Sequence, residues 1–227
     1  MSRRKATKLR NETPEQSGFK PKRVTGRSLR QKEYIKSIMA NDICLATGPA
    51  GSGKTHVAVG MAVSALRDGD VEKIILSRPA VDSGTSIGFL PGTMEEKMHP
   101  YLAPLYDELG VYIEQKAIKA WIEHGRIEIV PLSMMRGRTF NNSFIILDEA
   151  QNALMGELRM CLTRIGMNSK LVITGDLNQT DLYSDESGGL HRCVSKLAHI
   201  SGIGVTTLTA ADIVRHPLIG QIEAALG

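Results

Sequence analysis

Apolar residues recur along this chain in short blocks separated by longer stretches of helical spacing. Five blocks have the length and continuity of buried strands: 43–47 (ICLAT), 73–77 (KIILS), 126–130 (RIEIV), 143–148 (SFIILD) and 170–174 (KLVIT). A sixth, 204–208, is strand-like. Between them, apolar spacing of three and four residues predicts helices over 31–41, 56–66, 94–124 with a break near Gly110, 154–165, 189–199 and 217–226. Asp68-Gly69-Asp70 is expected to end the second helix. Trp121 falls on an apolar helical stripe and reads as core packing. Continuous apolar strands alternating with helices specify an α/β fold with a mostly parallel sheet covered on both faces. Ligands on such sheets sit at the carboxyl ends of the strands.

Three of those strand ends carry chemistry. The first strand runs into Gly48-Pro49-Ala50-Gly51-Ser52-Gly53-Lys54-Thr55, which fits G-x-x-x-x-G-K-[ST] at every fixed position, and a helix follows. Glycines in such a loop let backbone N–H groups close around a triphosphate, and the helix N-terminus adds partial positive charge. Residues 48–56, His56 included, are the expected nucleotide cradle. Lys54 is expected on the β- and γ-phosphates and the Thr55 hydroxyl on Mg²⁺. The strand 143–148 ends in Asp148-Glu149. Asp148 suits the second metal-holding position, and Glu149 suits a base that orients and polarises water for attack on the γ-phosphate. After the fifth strand comes Thr174-Gly175-Asp176-Leu177-Asn178-Gln179, where Gln179 is a candidate γ-phosphate sensor oriented by Asp176. Charge developing in phosphoryl transfer calls for an arginine. Arg215, Arg136 and Arg138 are candidates, and Arg78 at a strand end is a candidate for contact with a polymer phosphate.

Composition narrows the setting. The 227 residues suffice for one sizeable core with extensions. No apolar run reaches membrane-spanning length and no signal-peptide core begins the sequence, so a cytoplasmic protein with no membrane partner is expected. The three cysteines are scattered and lack metal-ligand spacing, which predicts buried thiols. The net charge of +4 conceals an asymmetry: residues 1–30 hold ten Lys or Arg against two acids and sum to +8, leaving −4 on the remainder. Residues 1–28 read as a basic, flexible arm ahead of one domain over 29–227. Such an arm binds nucleic acid by neutralising phosphates, or simply keeps the protein soluble.

Taken together, these motifs resemble the PhoH family of P-loop ATPases. The resemblance runs through Gly48–Thr55, Ser77-Arg78-Pro79, Gly88-Phe89-Leu90-Pro91-Gly92, Pro104-Leu105-Tyr106-Asp107, Arg136–Phe140, Asp148-Glu149-Ala150-Gln151-Asn152, Thr174-Gly175-Asp176 with Gln179, and Val214-Arg215-His216-Pro217-Leu218. It covers nearly everything after residue 28. The family is similar to the first motor domain of superfamily 1 helicases, which implies a RecA-like fold. That similarity implies that Gln31 reads the adenine edge. It makes Asp148, Glu149 and Gln151 the second helicase motif and Gln179 the third, with Arg215 a γ-phosphate arginine. Only one motor domain fits in these residues, so the second wall of the ATP site is expected to be absent or to come from a neighbouring subunit. A heterologous ring, expected as a hexamer, supplies it. The resulting expectation is a Mg²⁺-dependent ATPase acting on nucleic acid, with RNA favoured as partner. A small-molecule phosphotransferase and a nucleotide-dependent assembly switch with little turnover are the alternatives.

Overall fold

A computed structural model describes residues 22–79, 94–179 and 188–213. Its elements alternate as the apolar blocks predict. They are α1 (Leu29–Ala40), β1 (Ile43–Thr47), α2 (Lys54–Asp68), β2 (Lys73–Ser77), α3 (Met94–Tyr112), α4 (Gln115–Glu123), β3 (Ile127–Ile129), β4 (Ser143–Leu147), α5 (Met155–Leu162), β5 (Lys170–Gly175), α6 (Gly189–Leu197) and β6 (Ile203–Thr207).

The six strands form one parallel sheet in the order β3-β2-β4-β5-β1-β6. Successive side chains of a strand point to opposite faces, and the packing follows that period. Cys44, Ala46, Ile74, Leu76, Phe144, Ile146 and Val172 join the core under α1 to α4. Leu45, Ile75, Ile145, Leu147, Leu171 and Ile173 join a second core with Leu158, Cys161, Leu190 and Cys193 of α5 and α6. Both faces are therefore covered, as continuous apolar strands require. The fold is RecA-like α/β. The order places β5 between the P-loop strand β1 and the Asp148 strand β4, so three strand ends converge on one site.

The helices show why each lies where it does. Ser28 caps α1, its hydroxyl accepting from Gln31 N at 3.1 Å, and Gln31, Tyr34 and Ile38 line the buried face. Residues just before α1, assigned by sequence to the arm, run against the domain. Val24 packs on the core and Arg27 N donates to Gln31 Oε1 at 2.8 Å. Helix α2 is buried nearly all round, through Val57, Ala58, Val59, Gly60, Ala62, Val63 and Leu66. Gly60 is obligatory there: a Cβ would sit 2.5 Å from Tyr112 Cζ of α3. Gly69, at φ +80°, closes α2 where expected.

Boundaries differ in detail. The helical break lies at Ile113-Glu114, not near Gly110. Glu114 is extended (φ −65°, ψ 144°) and starts α4 in a new direction, which puts Ile118 and Trp121 into the core. Helix α5 stops at Leu162 because Ile165 pairs with Phe140 in an isolated parallel bridge. The helix expected over 217–226 lies outside the described residues. The three cysteines are free and buried, and burial pushes the Cys161 thiol up to about 12. Among the described residues no helix is long and apolar enough to cross a membrane.

Candidate functional site

The P-loop leaves β1 on Gly48, whose φ of +144° and 2.5 Å approach of a hypothetical Cβ to Leu208 O admit only glycine. Gly48 N donates to Gly175 O of β5 at 3.2 Å, which fixes the loop against the next strand end. Gly53, at φ +87°, turns the chain into α2 so that the helix begins at Lys54. Lys54 Nζ donates to Gly48 O at 2.6 Å and Pro49 O at 2.9 Å, so its charge lies across the loop. The first-turn N–H groups of a helix have no partner within the helix itself, and α2 begins at Lys54 directly after the loop.

Gln31 reaches the loop from α1. Its Nε2 donates to Ser52 O at 2.9 Å, and its Oε1 accepts from Arg27 N. The side chain expected on an adenine edge is thus first a prop for the phosphate loop. The His56 ring takes a task of its own. It points to α3, with Nδ1 3.0 Å from Glu108 Oε2 and Nε2 2.8 Å from Tyr112 Oη. Burial, with the Glu108 charge adding to it, raises the Tyr112 phenol above its usual range. His56 offers the cradle its backbone, while its ring ties α2 to α3.

The second cluster is built on β4. Asp148 is only 4% exposed. Its N–H donates to Ser77 O of β2 at 2.9 Å, continuing the ladder past the strand end. Oδ1 accepts from Thr55 Oγ1 at 2.7 Å and from Thr174 Oγ1 at 2.6 Å. Thr55 and Asp148 therefore meet as the motifs require, and the structure adds Thr174. Thr174 stands in the Thr174-Gly175-Asp176 motif, where local sequence assigns it no task. Its signal was a hydroxyl at the end of a strand that turns out to adjoin β4.

Glu149 follows in left-handed backbone (φ 52°, ψ 41°), a conformation that costs a non-glycine residue about 1 kcal/mol or more. Oε2 accepts from Gln151 Nε2 at 2.6 Å, and Oε1 lies 3.3 Å from Arg78 Nη2. Gln151 in turn accepts from Asp176 N through Oε1 at 3.0 Å. Asp176 Oδ1 accepts from Asn178 N at 2.9 Å, which holds the turn leading to Gln179. Gln179 itself is exposed. One polar chain thus links Arg78, Glu149, Gln151 and the end of β5.

The remaining arginines separate. Arg138 makes a bidentate pair with Glu128 at 2.7 and 2.9 Å and lies over the Phe140 ring at 4.6 Å. Hydrogen bonds from Arg138, opposed by partial burial and helped by its charge, hold the Glu128 carboxyl below its usual range. Arg136 is exposed. Arg215 lies outside the described residues.

The family described as PhoH-like protein matches residues 23–227. This chain belongs to the PhoH family. It is 45% identical over 202 residues to a PhoH-like protein of Synechocystis sp., covering 89% of this chain and 62% of that one. It is 46% identical over 206 residues to a PhoH-like protein of Bacillus subtilis, covering 91% and 65%. The chain thus spans a little under two thirds of the length of these relatives. Among solved structures, the large terminase from a thermophilic bacteriophage superposes with a TM-score of 0.54 at 11% identity, covering 86% of this chain and 49% of that one. That likeness concerns the fold. Family, fold and P-loop together support a nucleotide-binding NTPase.

Proposed function

We propose that this PhoH-family domain hydrolyses Mg-ATP and couples that cycle to binding or remodelling of nucleic acid, RNA in the first instance, as a ring-shaped homo-oligomer. The observation that carries the reading is the buried Asp148 carboxylate with the Thr55 and Thr174 hydroxyls on one oxygen, next to Glu149. These are hard oxygen donors, the chemistry that Mg²⁺ selects. Thr55 and Asp148 would hold the ion, which supplies charge neutralisation on the β- and γ-phosphates.

The chain's own residues do the rest. The N–H groups of residues 48–56 bind the phosphates, and Gln31 keeps the loop in shape through Ser52 O. Lys54 moves its charge from the Gly48 and Pro49 carbonyls to the incoming phosphate oxygens. Glu149 accepts a proton from water and orients its attack, and Gln151 positions that carboxylate. Loss of the γ-phosphate is felt at Gln179 through the turn that Asp176 holds. Arg215, or Arg136 of a neighbouring subunit, is the proposed arginine for the developing charge. Intramolecular pairing with Glu128 makes Arg138 the weaker choice.

Steady-state ATP hydrolysis with and without single-stranded RNA tests this reading. Lys54→Ala and Glu149→Gln are each expected to lower the rate by about 10²- to 10⁴-fold, with stimulation by RNA in the unmodified protein. ATP binding without turnover in the unmodified protein would replace the hydrolase with an assembly switch. A monodisperse monomer hydrolysing ATP at the full rate would remove the ring. RNA affinity measured against salt, with and without residues 1–21, tests the basic arm, and a flattened slope on deletion is expected.

A further inference from the structure

Strand β2 ends at Ser77 opposite Leu147 of β4, and the Asp148 N–H still donates to Ser77 O. Arg78 directly follows Ser77 and Glu149 directly follows Asp148, just past the ends of two adjacent parallel strands. Their side chains meet there, Nη2 to Oε1 at 3.3 Å. The other carboxylate oxygen is held by Gln151 at 2.6 Å. Both oxygens of the proposed base are therefore engaged by donors, and an engaged carboxylate is a poor proton acceptor and a poor guide for water. The pair is not sealed in: the side chains of Arg78 and Glu149 are 23% and 38% exposed. Ion pairs at such partly exposed sites are weak, and a phosphate offers a guanidinium a better, bidentate partner.

We propose that Arg78 is a latch on Glu149, opened when a backbone phosphate of single-stranded RNA takes the guanidinium. The inference rests on the ATPase reading above and supplies its regulation. With Arg78 on a phosphate, Glu149 keeps only the Gln151 contact and one oxygen becomes available to water. Nucleic acid then stimulates hydrolysis without reaching the nucleotide. Arg78 is a positioning residue here, acting through Glu149. Because the carboxylate and the phosphate compete for one guanidinium, the coupling is reciprocal, and removing the carboxylate charge must strengthen RNA binding.

The test is a double-mutant cycle read by equilibrium binding, using the full chain and a fluorescently labelled oligo-uridylate without nucleotide. Glu149→Gln is expected to tighten binding roughly two- to fivefold, the range a surface ion pair allows. In an Arg78→Gln background the same substitution is expected to change nothing. Equal tightening in both backgrounds would mean a general charge effect and would overturn the latch while leaving the ATPase reading intact. No RNA binding by the unmodified protein would overturn the latch and the nucleic-acid partner together. Hydrolysis gives the second readout. Arg78→Gln should raise the basal rate toward the RNA-stimulated one and abolish stimulation. A fall in basal rate, also seen in the charge-retaining Arg78→Lys with thermal stability unchanged, would make Arg78 a direct participant and end the latch.

Discussion

The two ends of the parallel sheet differ more than its two faces. At the carboxyl ends of the strands, Thr47, Ser77, Asp148, Thr174 and Asp176 are polar and buried. Most of these groups meet across strand ends: Thr47 with Thr207, Thr174 with Asp148, Gln151 with the Asp176 N–H. At the amino ends lies a groove of about 1470 Å³, lined by apolar Ile38, Val71 and Phe144 and by polar Asp42, Asn142 and Lys170 among others. Met167 at its edge is 77% exposed. Polar groups are costly to bury and persist where each has a partner or a task. At the first end side chains meet one another across strand ends, whereas at the second Ser169 and Lys170 bond mainly to neighbouring backbone, through Ser143 N, Phe140 O and Asn41 O, beside the packed Phe144 ring.

Substitutions at the two ends should separate stability from turnover. The largest effect on folding is expected at the groove end, where Phe144→Ala deletes a fully packed ring from β4. About 3 to 5 kcal/mol of stability should be lost in denaturant unfolding, with hydrolysis per folded molecule nearly unchanged. A strong loss of turnover at a temperature where the variant is folded would show that the ends are not independent.

Thr174→Val sharpens the contrast from the other side. The change keeps the shape and removes one hydroxyl from Asp148 Oδ1. Roughly 1 to 3 kcal/mol of stability is expected to go, while the Mg²⁺ concentration needed for half-maximal hydrolysis should rise about 10- to 100-fold. Unaltered metal dependence would mean that Thr174 does not tune that carboxylate.

A smaller effect is expected at the sheet edge. The Glu128 carboxyl is depressed in the folded state, so its contribution to stability is present above the ordinary glutamate value and is lost as pH falls through the lowered one. Glu128→Gln should cost under about 1 kcal/mol at neutral pH, because the pair is about one-third exposed, and nothing at strongly acid pH. A pH-independent difference would point to packing of Arg138 on Phe140 instead. Smallest of all is Met167→Ser at the rim of the groove, expected within about 0.5 kcal/mol of the parent and neutral for hydrolysis.

The amino-acid sequence by itself settled the element types, the parallel sheet and the P-loop, because burial on both faces leaves continuous apolar strands and a phosphate cradle needs glycines at fixed spacing. It also marked Thr55 and Asp148 as partners, since each motif calls for the other, and the 2.7 Å contact between them agrees. Other features depended on how elements pack. The helical break belongs at Glu114 because burying Trp121 demands a change of direction, which no glycine signals. Strand order decided that Thr174 and Arg78 stand beside Asp148 and Glu149, across separations of 26 and 71 residues that local pattern does not encode. Packing of α2 on α3 likewise decided that the His56 ring binds Glu108 and Tyr112, leaving only its backbone to the loop. Local spacing fixes which atoms a segment can offer, but only the assembled sheet fixes which atoms from distant segments come within hydrogen-bond reach.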